Sequence, residues 1–103
     1  MEVERWKSLF GDLSEQNMRR RLEEEGFSVV KYTYSPGTYF PDHEHVVDKK
    51  DTVLAGKFRM RALGKEFILG PGDMLLVPAG TIHNAEVVGH EPVISLDATK
   101  REN

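Results

Sequence analysis

The chain contains no cysteine. Disulfide frameworks, thiolate metal sites and cysteine nucleophiles are therefore excluded together, and the composition suits a reducing compartment. Basic charge is not in excess. The 14 lysines and arginines stand against 17 aspartates and glutamates, so a net charge of −3 offers no basic field to nucleic acid or anionic lipid. No apolar run approaches the roughly 20 residues that cross a bilayer. The first ten residues, MEVERWKSLF, mix charged with apolar side chains and lack the uninterrupted apolar core of a signal peptide. The expectation is a soluble, cytoplasmic protein with no nucleic-acid or membrane partner. A GxSxG nucleophile element is also missing, and the one GPGD lacks the Lys-Ser/Thr and helix of a phosphate loop.

What remains is an ordinary globular composition, 39% hydrophobic and 30% charged, which argues against disorder. A chain of 103 residues forms one domain and buries enough surface to need no covalent staple. Its character changes near residue 26, dividing an N-terminal arm (1–26) from a strand-rich segment (27–103). Within the arm, SEQNMRRRLEEEG reads as a short helix. Ser14 is placed to cap it, Met18 and Leu22 share a face, and Gly26 is placed to end it. Arg19, Arg20 and Arg21 precede Glu23, Glu24 and Glu25 by four residues, so three weak ion pairs are available on a solvated face.

After Gly26 the period is two. FSVVKYTYS, HEHVVD, DTVLAGKFRMRAL, KEFILG, DMLLVPAG, IHNAEVV and PVISLDA are short alternating or apolar runs, separated by glycine and proline turns. This spacing predicts an all-β antiparallel sandwich or barrel. Phe58, Met60 and Met74 share a parity that suits a pocket lining or a core, whereas Trp6, Tyr32, Tyr34, Tyr39 and Phe40 read as core or dimer-contact residues.

Histidine carries the candidate chemistry. His43 and His45 stand two apart, so on a strand both point the same way. His83 opens another expected strand, and if that strand faces them across the barrel, three imidazole nitrogens converge on one ion. His90 falls in a polar turn and is expected at the surface. Glu44 alternates with the histidines and is expected to face outward.

The framing of these histidines resembles the cupin family. PGTYFPDHEH sets Gly37 six residues before His43, and Gly56 stands where the first cupin motif closes; Gly72, Pro78, Gly80 and His83 match the second motif. The resemblance implies a double-stranded β-helix, or jelly-roll barrel, with a short helical segment before it. It further implies a homodimer, a small-molecule ligand and a divalent transition metal in the barrel. Nitrogen-rich coordination favours Zn, Ni, Fe, Cu or Mn over Mg and Ca.

One departure matters. Cupins that hold a metal usually supply a glutamate four residues after the second histidine, and Lys49 stands there. Three readings follow: Asp48 or Asp51 replaces the carboxylate, with Asp51 the better matched in parity; three histidines and water suffice; or Lys49 points inward and no metal binds. The expected ligand set is His43, His45, His83 and Asp51. A smaller departure is Val87, where many cupins carry asparagine. The expected function is a metal-holding pocket for a small polar organic molecule, with a metal-dependent enzyme as one form; the alternative is a non-catalytic binding or sensor module, with or without metal.

Overall fold

Side-chain alternation builds most of the strands, and the computed structural model describes them for residues 1–102; Asn103, the last residue of the expected strand-rich segment, lies outside the described residues. In chain order these are β1 (Val3–Glu4), a 3₁₀ turn (Ser8–Phe10), α1 (Glu15–Glu24), β2 (Phe27–Tyr34), β3 (Tyr39–His43) and β4 (Lys49–Thr52). Then follow β5 (Lys57–Ala62), β6 (Lys65–Leu69), β7 (Met74–Val77), β8 (His83–Val88) and β9 (Val93–Lys100). One sheet runs β1-β7-β4-β9-β2 and the other β3-β8-β5-β6. All the pairings are antiparallel, so the two sheets form a jelly-roll sandwich.

Two cores result. Between the sheets lie Val53, Phe58, Met60, Leu69, Leu75, Val77, Ala85, Val87 and Val93. The outer face of the five-stranded sheet carries a second cluster, in which Met18 and Leu22 of α1 pack on Phe27, Met74, Leu96 and Ala98. Both helix residues are fully buried, each stabilising the arm by about 1.5–3 kcal/mol. Met74 is therefore a core residue, as one of its two readings had it, but beneath the helix and not between the sheets with Phe58 and Met60.

The helix begins as expected. Ser14 Oγ accepts the Asn17 N–H at 3.1 Å, and Gly26 follows its end at φ +94°. Of the three expected ion pairs, Arg21 meets Glu25 at 3.5 Å. Arg19 turns back to Glu15 instead, the direction the helix dipole favours, and Arg20 bonds Asn17.

HEHVVD is not a strand. β3 stops at His43, and residues 44–48 make an irregular turn. The next strand, β4, is KKDT, polar throughout. Lys50 points to the arm, where Glu4 and Glu25 each accept from its Nζ at 2.9 Å. Burial works against that charge, yet the two carboxylates hold the Lys50 pKa above its ordinary value. Lys49 and Asp51, of opposite parity, face the space between the sheets. Gly56 sits at φ +84°, and a Cβ there would stand 2.5 Å from the Pro92 carbonyl oxygen, so only glycine lets the chain turn here against β9.

Candidate metal centre

Pro41 lies in β3, an edge strand, where its missing N–H removes no ladder bond. The register between β3 and β8 shifts between Phe40 and His43, and this irregularity re-aims the strand end into the barrel. His43 and His83 emerge as direct cross-strand partners. The expectation that β8 lies across the barrel from β3 is thus corrected: the strands are neighbours in one sheet, and lateral pairing brings the rings together. His45 follows in the turn and is held by its backbone, its carbonyl accepting from Gly80 N–H at 2.9 Å.

The Pro78–Thr81 turn serves the same end. Thr81 N–H closes it on the Pro78 carbonyl, and Gly80 takes φ +77°. Asp48 Oδ1 accepts the Ala79 N–H at 2.8 Å, so the two histidine-bearing loops are tied together. Asp48 is consequently a loop brace and not part of the cavity lining.

The ring centroids of His43 lie 5.0 Å from His45 and 4.1 Å from His83, and those of His45 and His83 are 5.3 Å apart. One nitrogen from each ring falls within 4.8 Å of the others. His43 Nδ1 stands 2.7 Å from the Pro41 carbonyl oxygen and His83 Nδ1 2.8 Å from that of Thr81. A carbonyl only accepts, so both Nδ1 atoms carry a proton, and in the neutral form of each ring the lone pair is then on Nε2. That is the arrangement that orients imidazoles as metal ligands. Burial holds His83 below its usual pKa; burial, then the Lys49 ammonium, does so for His45. Imidazole nitrogens oriented in this way and at this spacing suit a divalent transition ion in their chemistry.

Around the rings lies a cavity of about 320 Å³. Lys49, Asp51, Ser95 and Asp97 come from the opposite sheet. Asp51 and Asp97 are direct cross-strand partners. Lys49 Nζ donates to Asp97 Oδ2 and Thr99 Oγ1, each at 2.9 Å. Asp51 is pushed up to about 7, by burial first and then by Asp97, with Lys49 pulling against them. Among the described residues the group of converging ligand atoms consists of the three histidines; Asp51 stands on the wall outside it.

The other end of the cavity is apolar. Tyr34 crosses Phe40 edge-on at 4.9 Å and stacks on Phe58 at 5.9 Å, while Tyr32 stacks on Tyr34 at 5.8 Å. Burial raises the Tyr34 hydroxyl to about 12, so it remains a proton donor. Tyr32, Tyr34 and Phe40 therefore line the cavity with Phe58 and Met60; alternation in FSVVKYTYS could have flagged the tyrosines, because they share a parity. Lys49 points inward, as one of the three readings had it, whereas Asp97 and Ser95 were the harder omissions. His90 and Glu44 are exposed, as expected.

Two antiparallel sheets enclosing a histidine-lined pocket define a small jelly-roll barrel protein with a candidate metal centre. The sequence matches the cupin domain family over residues 30–99, and the chain belongs to that family. Among solved structures it is similar to KdgF from Halomonas sp., with a TM-score of 0.64 and 23% identity over 76% of this chain and 72% of that one. It is also similar to the DMSP lyase DddQ from Ruegeria pomeroyi, with a TM-score of 0.65 and 26% identity over 75% of this chain but 39% of that one. A conserved protein with a double-stranded β-helix domain from Klebsiella pneumoniae gives a TM-score of 0.63 and 26% identity over 76% and 70% of the two chains. No curated protein matches the chain.

Proposed function

We propose that this cupin holds a divalent transition metal through His43, His45 and His83 and binds a small organic molecule on the open side of the ion. The observation that carries the reading is the pair of Nδ1–H bonds to Pro41 and Thr81, which aim two lone pairs into a cavity already shared with a third ring. When bound, the ion would supply Lewis-acid polarisation or an activated water. The chain's own residues do the rest. Asp51 offers a carboxyl that gains and loses a proton near neutrality, and Tyr34 offers a hydroxyl that keeps its proton. Asp51, on the opposite cavity wall outside the histidine group, is the carboxylate available to approach the open side of the ion. The aromatic end excludes water and takes the apolar body of the ligand.

An enzyme is the first form of this reading, since one structural neighbour is a lyase; a non-catalytic binding module is the second. The second is favoured by Lys49, whose ammonium, held by Asp97, replaces the usual fourth ligand with a cation. Turnover by metal-loaded protein that disappears in His45→Ala supports the first. Ligand-dependent thermal shifts without turnover support the second. Negligible metal uptake by wild type, equal to that of His83→Ala, removes the first and leaves only a metal-free form of the second.

A second copy is the partner that best suits β2. This eight-residue strand is the free edge of its sheet and exposes Val30 and Tyr32. Sedimentation of wild type against Val30→Glu reads the association directly.

A further inference from the structure

Lys49 is the one lysine or arginine among the residues lining the cavity. Its ammonium has three donors. Asp97 and Thr99 take two of them and fix the group in place, which leaves one N–H for a ligand. Its side chain retains only 14% exposure, so water competes weakly for that donor. Lys49 pairs with Thr99 and Tyr34 with Val93, six residues away along β9. The ammonium therefore stands toward the end of the cavity away from Tyr34.

We infer that Lys49 selects an anionic head group, and that the ligand is a small monocarboxylate whose charged end lies between Lys49 and the histidines, with its hydrocarbon body against Tyr34, Phe40, Phe58 and Met60. The sign of the field rests on the metal reading above. With Asp51 and Asp97 both ionised, Lys49 and a divalent ion leave one net positive charge, which a monocarboxylate cancels and a cationic ligand doubles. In a half-buried site that difference is large. Asp97 is already engaged by Lys49, so its charge is largely spent within the protein. The volume sets the size: at a water's share of about 30 Å³, the cavity takes about ten non-hydrogen atoms.

Phenylacetate and phenylacetamide have that size and differ in charge. Each is titrated calorimetrically into cobalt-loaded and metal-free wild type, Lys49→Met and Lys49→Arg. The expected result is at least tenfold tighter binding of the acid by cobalt-loaded wild type, lost in Lys49→Met and kept in Lys49→Arg, in line with a charge-assisted hydrogen bond. Lys49→Met strands the Asp97 carboxylate, so the double variant Lys49→Met/Asp97→Asn repeats the test without that burden. Asp97→Asn alone frees a donor of Lys49 and is expected to tighten the acid. Equal binding of acid and amide by wild type, or a preference that survives removal of Lys49, overturns the inference. Cobalt uptake is read separately from its visible absorption. Protein that takes no cobalt yet keeps a Lys49-dependent preference for the acid removes the metal reading and leaves this one standing.

Discussion

His43 and His83 face each other across the β3–β8 pair with ring centroids 4.1 Å apart, and each ring donates from Nδ1 to the carbonyl two residues before it. The same local device thus orients both rings from two distant stretches of chain. Each bond would be unremarkable on a lone surface histidine. Placed on paired strands, the two leave adjacent Nε2 lone pairs inside one cavity.

If those lone pairs hold an ion, His83→Ala is expected to lower zinc or cobalt affinity by about 100-fold or more, because outer-shell changes alone cost ten- to 100-fold. His90→Ala, at the surface, is the matched control and leaves affinity unchanged. Competitive titration against a chelator of known affinity measures both.

Lys49→Glu replaces a cation with a carboxylate on the cavity wall. Metal affinity is expected to rise about tenfold, as like-charge repulsion is removed and an oxygen donor gained. The same titration in Asp51→Ala reads that residue: a fall of tenfold or more makes it a ligand, and no change leaves it a wall residue.

Asp51 also makes the metal-free protein pH-sensitive. Its folded pKa is raised from 3.8 to about 7, so between these values the folded state holds a proton that the unfolded state has lost. Stability from this group falls as pH rises through that window and levels off above about 7. Asp51→Asn is expected to stabilise the metal-free protein above pH 7, by on the order of 4 kcal/mol at most, and to change little near pH 4. The lowered pKa values of His45 and His83 act the other way, because their neutral folded forms lose stability as pH falls through 6.5. Urea midpoints across pH 4–8, wild type against Asp51→Asn, separate the two.

Leu63 and Gly64 form the two-residue turn between β5 and β6, both at positive φ, and Leu63 is 69% exposed. Such a turn prefers Asn-Gly. Leu63→Asn is expected to raise stability by about 0.5–1 kcal/mol, measured as a shift of the thermal midpoint without loss of metal binding.

Glycine, proline and histidine spacing made the barrel and the three histidines legible, since Gly56, Gly80 and the His-x-His each answer a local backbone or donor requirement. KKDT was not legible as a strand. Three of its four polar side chains, those of Lys49, Lys50 and Thr52, become tolerable only when Asp97, Glu4, Glu25 and Leu96 O arrive from elsewhere in the chain to meet them. Tyr32 and Tyr34 carried the right parity, yet parity alone does not say whether an aromatic fills a core or walls a cavity.

By itself, then, the sequence determined an antiparallel barrel, an arm with a capped helix, and which imidazoles could meet. Those are properties of periodicity and turn chemistry, which act over a few residues. Only the tertiary structure decided that β3 and β8 lie side by side, that Lys49 points inward while bound to Asp97, and that Asp51 faces the histidines from the opposite sheet. Those depend on strand register and burial, and both arise from contacts between residues tens of positions apart.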